Sequence, residues 1–297
     1  MTRGEREGHE RGGVHPVSIE VRAARAASVE EIEVDLLLEA VHRARGFDFR
    51  DYARASLRRR IANQMKTEAV TTVTALLDRI LHDEEAMNRF LMGVSVNVSA
   101  MFRDPGFFRA LRQQVVPMLR TYPFVRIWQA GCSMGEEVYS LAILLEEEGL
   151  IERCRIYATD ISESILDKAR AGIFPLDLMQ KYTHNYQQAG GRRAFSEYYT
   201  AAYDGAIFRP SLRDHVVFAQ HNLVTDGVFN EFNLVLCRNV MIYFNRDLQN
   251  RVHHLLFNSL ATFGILGLGA KESLSLTPLT EAYEDVDPVH RLYKRCA

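Results

Sequence analysis

The stretch Trp128-Gln-Ala-Gly-Cys-Ser-Met-Gly-Glu-Glu-Val-Tyr-Ser140 decides the fold. A strand-like apolar segment, Val125 to Trp128, leads into it, and a helix-like segment, Tyr139 to Glu148, leaves it. Gly131 and Gly135 flank a tight strand-to-helix turn. Glycine there adopts positive φ and lets the backbone approach a ligand closely. A second strand, Arg155-Ile-Tyr-Ala-Thr-Asp160, ends in an acid. Strand, glycine turn, helix, strand and acid make a nucleotide-binding crossover, with the acid set to accept hydrogen bonds from a ribose diol. The turn lacks the full dinucleotide fingerprint and the phosphate-cradling Lys-Ser/Thr pair. This favours an adenosyl ligand without phosphates, S-adenosylmethionine, over NAD or ATP. Glu136 and Glu137 at the helix start have two readings. They suit the helix dipole, or one carboxylate faces the ligand's cationic end.

Outward from this turn the chain alternates. A helix at 105–120 precedes the first strand at 125–130. Later strands are expected at 154–159, 215–220, 232–237, 264–270 and 289–295, with helices between most of them. Such alternation implies an α/β fold, a mostly parallel doubly wound sheet with helices on both faces. Residues 172–214 interrupt it. A helix is expected at 176–185 and a small antiparallel flap at about 197–220, with a hairpin signal at Tyr203-Asp-Gly-Ala206. Before the sheet, residues 28–92 read as a small helical domain. Ser28 and Glu31 form a capping-box candidate, and Gly46 ends the first helix. Further helices are expected at 50–67, 72–82 and 84–92. Residues 1–27 are polar and without periodicity, a disordered tail. Residues 93–103 form a connector, and 104–297 the main domain with the flap inserted at 172–220.

Composition sets bounds on function. The chain has 297 residues, 47% hydrophobic and 25% charged, with a net charge of -2. These are ordinary values for a globular protein and give no overall pull toward nucleic acid or membrane. No apolar run reaches spanning length, and the first residues have no apolar secretory core. Cys132, Cys154, Cys237 and Cys296 form no CxxC pair and read as reduced cytosolic thiols. No His, Cys, Asp or Glu set has metal-ligand spacing, and no nucleophile elbow is visible.

Several segments could carry chemistry. Asn97-Val-Ser-Ala-Met-Phe-Arg-Asp104 joins the two parts. Asp104 before Pro105 reads as a helix cap, which leaves Arg103 unexplained. Cys237-Arg-Asn-Val-Met-Ile-Tyr-Phe244 follows a strand, at the carboxyl end where open α/β sheets bind ligands. Tyr243 by itself would as readily be a packing residue. His221-Asn222-Leu223 ends another strand, where Asn222 could reach an adenine edge and His221 reads as a loop residue. Arg50, Arg54 and Arg58, spaced by four, share one face of the second expected helix. That face is either solvated or a patch for an acidic partner.

Together these segments resemble the CheR-type chemoreceptor methyltransferases, which move a methyl group from S-adenosylmethionine to receptor glutamates. The resemblance covers about residues 28–296. It rests on Asn-x-Ser-x-x-Phe-Arg at 97–103, Gly-Cys-Ser-Met-Gly-Glu-Glu at 131–137, Ala-Thr-Asp-Ile-Ser at 158–162 and Cys-Arg-Asn-Val-Met-Ile-Tyr-Phe at 237–244. Gly46-Phe-Asp-Phe-Arg-Asp-Tyr52 and Arg58-Arg-Arg-Ile61 resemble the family's N-terminal domain. The resemblance implies a class I S-adenosylmethionine-dependent methyltransferase fold, Rossmann-like, with a helical N-terminal domain and an inserted antiparallel β-subdomain. It implies that Asn97, Ser99 and Arg103 line the cofactor from the connector. Glu136 would meet the methionine amino group, and Asp160 the ribose hydroxyls. Asn222 and Leu223 would flank the adenine, and Arg238 and Asn239 would close the site. Arg103 and Tyr243 would face the incoming glutamate. S-adenosylhomocysteine would be the product, and the partner the cytoplasmic helical region of a methyl-accepting chemoreceptor or a related coiled-coil protein, with no nucleic acid and no membrane insertion.

Three positions depart from the family pattern: Ser99 for Thr, Met101 for an aromatic and Val138 for Pro. The family's flap sometimes carries a glycine-rich loop that grips a receptor tail peptide. Here the hairpin tip around Asp204-Gly205 is short. Two rival readings remain. One is a module that senses S-adenosylmethionine or scaffolds a complex without turnover. The other is a methyltransferase for a small molecule or an unrelated protein.

Overall fold

The computed structural model describes residues 28–94, 99–275 and 277–296. The expected disordered tail at 1–27 and Asn97 of the connector lie outside the described residues.

Four helices form the N-terminal domain: α1 (Val29–Arg45), α2 (Arg54–Thr67), α3 (Val73–His82) and α4 (Glu84–Val94). The capping box at Ser28 is present. Its hydroxyl accepts from the Glu31 amide at 3.3 Å, and the Glu31 carboxylate accepts from the Ser28 amide at 3.0 Å. Gly46 ends α1 at φ 75°. Leu37, Leu38, Leu57, Leu76 and Phe90 meet in one apolar core.

Helix α2 starts four residues later than the expected 50. Residues 51–53 are pulled out of the helix by pairing with a distant segment. Tyr52 bridges Phe244 in antiparallel fashion, the Ala53 amide donates to the Tyr243 carbonyl at 2.8 Å, and the Asn245 amide donates to the Asp51 carbonyl at 2.8 Å. This corrects the reading of a single arginine face. Arg50 precedes the helix and pairs with Asp48 and Glu39, each at 2.7 Å. Arg54 pairs with Asp35 at 2.6 Å, and Arg58 with Glu31 at 2.7 Å. All three are thus engaged, mainly by acids of α1.

The main domain opens with α5 (Pro105–Ala110), a π-turn at Leu111–Val115 and α6 (Val116–Leu119). The helix expected over 105–120 is therefore interrupted. Pro117 has no amide to donate, and the backbone opens just before it. There follow β1 (Val125–Ala130), α7 (Glu136–Glu147), β2 (Cys154–Asp160), α8 (Glu163–Ala171), β3 (Ile173–Pro175), α9 (Met179–Gln188), β4 (Tyr199–Ala202), β5 (Gly205–Phe208), β6 (Val216–Gln220), β7 (Phe232–Cys237), α10 (Arg246–Ser259), β8 (Leu260–Leu268), β9 (Tyr283–Asp287) and β10 (Leu292–Arg295).

Seven strands form one sheet in the order β6-β2-β1-β7-β8-β10-β9. The first five are parallel, and β10 runs antiparallel to both β8 and β9. Both faces are covered, as the alternation implied. Ile127 and Leu234 point into the core under α7, while Trp128 and Val235 point to the other face, against Leu248, Val252 and Leu256 of α10. Near-continuous apolar strands follow from this two-sided burial.

The flap differs in extent from the expected 197–220. It is the three-stranded sheet β3-β5-β4, and β6 belongs to the main sheet beside β2. A tight turn at Tyr203-Asp204 joins β4 to β5, as the hairpin signal indicated. Helix α9 begins three residues after the expected 176, behind a short 3-10 turn. A buried carboxylate anchors the insertion: Glu147 accepts from the Tyr186 hydroxyl, from the Tyr198 hydroxyl at 3.0 Å and from the Arg192 amide at 2.9 Å.

Candidate active site

One cavity opens at the carboxyl ends of β1, β2, β6 and β7, the place where strand connections diverge and open sheets bind ligands. The turn after β1 forms its floor. Gly131 and Gly135 hold φ of 70° and 93°, and Ser133 between them 52°. Gly131 is required for a second reason: a Cβ there would fall 2.5 Å from Val240 Cγ2.

Asp160 lines the cavity at the end of β2. Its Oδ2 accepts from the Ser133 amide at 2.9 Å and its Oδ1 from the Ser162 amide at 3.3 Å. Burial pushes this carboxyl above the usual range, against the pull of those amides. The Ile161 amide also bonds this carboxylate, which still leaves acceptor capacity for a hydroxyl donor. Asn222 and Leu223 line the same end. The Asn222 Oδ1 accepts from the Val224 amide at 3.0 Å, which fixes the side chain and leaves its amide NH₂ as the donor. His221 is held by a contact of its Nε2 with the Gly227 carbonyl at 3.1 Å and by an edge contact with Trp128.

The two acids of the turn separate. Glu137 lines the cavity and receives Gln129 Nε2 at 2.9 Å and Arg238. Glu136 does not line it. It lies beneath Ser99, whose hydroxyl bonds its carboxylate, and its Oε2 is buried without a partner among the described residues. Burial pushes Glu136 up to about 6.

Arg238 is more a bracket than a wall. Its guanidinium stacks 3.8 Å over the Phe107 ring, donates to Glu137 and donates to Asp104 at 2.8 Å. This corrects the reading of Asp104 as a side-chain cap. Asp104 has φ 58°, makes no side-chain cap bond, and its carboxylate serves Arg238 instead. Ser99, Arg103, Asn239 and Tyr243 line the cavity. Of the three departing positions, Ser99 is half-buried and lines the cavity. Met101 and Val138 are buried, and the Met101 carbonyl accepts from Asn185 Nδ2 at 3.0 Å.

Sequence reasoning missed two cavity residues from the helical domain, Tyr52 and Arg60. The Arg60 guanidinium lies 4.4 Å over the Tyr243 ring. It is only 7% exposed, donates to the Val94 carbonyl, and has no carboxylate partner among the described residues. Burial lowers its affinity for the proton. A signal was available: Leu57, Arg60 and Ile61 fall on one buried helical stripe, with a cation where an apolar residue belongs.

A family model described as "CheR methyltransferase, SAM binding domain" matches residues 97–287, and "CheR methyltransferase, all-alpha domain" matches residues 32–93. The chain belongs to the CheR methyltransferase family. "Putative methyltransferase Cher3" of Pseudomonas putida KT2440 is 50% identical over 265 residues, covering 89% of this chain and 97% of that protein. "Chemotaxis protein methyltransferase" of Listeria innocua is 31% identical over 250 residues, 83% and 92% of the two chains. Among solved structures, N-methyltransferase NodS from Bradyrhizobium japonicum aligns with TM-score 0.38 at 12% identity, over 66% of this chain and 97% of that one. A CheR methyltransferase binds S-adenosylmethionine, and this cavity fits it. It has the Asp160 carboxylate at the end of β2 and the Asn222 side-chain amide at the same end, and behind Ser99, outside the lining, a buried Glu136 oxygen lies without a partner among the described residues. All four cysteines are free, and Cys132, Cys154 and Cys237 are buried. No helix among the described residues is long and apolar enough to cross a membrane.

Proposed function

We propose that this protein transfers the methyl group of S-adenosylmethionine to glutamate side chains of a chemoreceptor or a related helical signalling protein. The observation that carries the acceptor's chemistry is Arg60. A buried charge is normally paired, yet among the described residues this guanidinium has only a carbonyl and an aromatic face. The missing counter-charge is supplied by an incoming carboxylate. The names of relatives as chemotaxis protein methyltransferases support a receptor acceptor. That in turn implies a cytoplasmic enzyme.

Asp160 holds the ribose hydroxyls, Glu136 the cationic amino group, Asn222 and Leu223 the adenine, and Ser99 supports Glu136. Asn97, Arg103, Arg238 and Asn239 complete the cofactor wall. The bound cofactor supplies an electrophilic methyl on its sulfonium. A glutamate is ionised at neutral pH, with a reference pKa of about 4.3, so no general base is needed. Arg60 and Arg103 fix the carboxylate, and the Tyr243 hydroxyl steers the attacking oxygen. The work is orientation and exclusion of water. Arg54 and Arg58 on α2 pair with Asp35 and Glu31 of α1. Exposed ion pairs of this kind contribute only about 0–1 kcal/mol, so they, with Arg50, can exchange α1 acids for those of a receptor helix.

Two results are expected. Asp160→Ala, if folded, weakens cofactor binding by about 1–3 kcal/mol, the usual loss for buried hydrogen bonds left unmade. Unchanged affinity by calorimetry refutes the ribose assignment. With methyl-labelled cofactor and receptor fragments, the transferred label is released by mild alkali as methanol. An alkali-stable label excludes a glutamyl ester. Cofactor binding with no transfer to any fragment supports the sensing module instead.

A further inference from the structure

Glu272, beyond the end of β8, is 5% exposed and receives four backbone amides. Its Oε2 accepts from Gly269 at 2.7 Å and Asn239 at 2.8 Å. Its Oε1 accepts from Val240 at 2.9 Å and Met241 at 2.8 Å. Three of these amides are consecutive. They converge because Asn239 takes a left-handed φ of 61°, which turns successive N–H groups to one side. The fit leaves no slack: a Cβ on Gly269 would fall 2.7 Å from Glu272 Oε2 and 2.8 Å from the Asn239 amide nitrogen.

Glu272 does not line the cofactor cavity. The loop it grips does, through Arg238, Asn239, Val240 and Tyr243. We propose that Glu272 is the positioning residue of the cofactor site: its carboxylate sets the backbone of Asn239–Met241 and thereby the place of the side chains around it. The same loop is held on its other flank by Arg238, through Glu137 and Asp104. Arg238 fixes one side chain, whereas Glu272 fixes the main chain. An ordinary buried acid needs only one or two partners. Four amides, with no cation among the described residues, show a carboxylate used as a template for backbone shape.

The chemistry predicts which substitution fails. Each oxygen of Glu272 accepts two amides. Glutamine has one acceptor oxygen and an NH₂ group. In either orientation the NH₂ faces two N–H groups, which are left buried without an acceptor. Glu272→Gln in the full chain should weaken S-adenosylhomocysteine binding about tenfold or more, as expected for amides left unsatisfied. It should also speed hydrogen exchange at Asn239, Val240 and Met241 and leave exchange in β1 and β2 unchanged. A general loss of stability would instead raise exchange in those strands as well. A folded Glu272→Gln protein with wild-type affinity and wild-type exchange in the loop overturns the proposal. Should that variant not fold, Glu272→Asp decides. It keeps both oxygens one methylene further back, so weaker binding supports the role and unchanged binding removes it. The readout is the cofactor alone, so it stands or falls apart from the identity of the methyl acceptor.

Discussion

Arg60→Met should abolish most transfer to receptor fragments while sparing the cofactor. Truncating one partner of a buried charge pair costs roughly 2–5 kcal/mol, about 30- to 4,000-fold in kcat/KM. Methionine keeps an unbranched stem and a sulfur that packs on the Tyr243 ring. S-adenosylhomocysteine affinity should stay near wild type. Stability should hold or rise, because the free enzyme carries this guanidinium buried and without a carboxylate. That combination separates a binding role from a structural one. A structural arginine would lower the melting temperature and leave transfer by the folded fraction intact. Arg60→Lys gives an intermediate result, since a point charge replaces the bidentate fork. The assignment fails if Arg60→Met methylates receptor fragments as efficiently as wild type.

What the sequence disclosed was local, and what it hid was long-range. The turn at Gly131–Gly135, the acid ending β2 and the end of β7 at Cys237 were legible because neighbouring residues determine them. The cap at Ser28 was legible for the same reason. The start of α2 was not. Residues 51–53 have nothing against a helix, but their partners are Tyr243, Phe244 and Asn245. Tertiary pairing overrode local preference. Arg60 was hidden similarly. A run of three arginines reads as a solvated face, and only packing against Tyr243 shows that one of them turns inward. Strand β9 reads Tyr-Glu-Asp-Val-Asp, with acids exposed at an edge, and carries no apolar alternation to mark it. Strand β3 has three residues and ends in Pro175. Glu272 had no signature, because its partners are main-chain amides, which no residue type encodes. The acids of the turn show the limit within a motif. The pair Glu136-Glu137 was visible, but only the fold assigns one to Arg238 and the other to the space beneath Ser99.

Arg238→Met is the substitution expected to damage the fold itself. It leaves Glu137, 7% exposed, with Gln129 but no cation, and Asp104 with no guanidinium. Breaking a buried pair from one side typically costs about 3–5 kcal/mol, because the orphaned charge stays behind. The loss of stacking on Phe107 adds to this. Urea denaturation should show it as a lower midpoint. Adding Glu137→Gln should recover much of the loss, since the double variant removes both charges and keeps the shape. Cofactor affinity then separates the two roles of Arg238. If it acts only as a bracket, the double variant regains binding along with stability. If its guanidinium also touches the cofactor, stability returns and affinity does not. The bracket itself is disproved by an Arg238→Met protein whose stability lies within about 0.5 kcal/mol of wild type, the range of an uninvolved surface change. Glu137 would then have to be stabilised by Gln129 alone, and the strained connector at Phe102 and Asp104, with φ of 49° and 58°, would need another support.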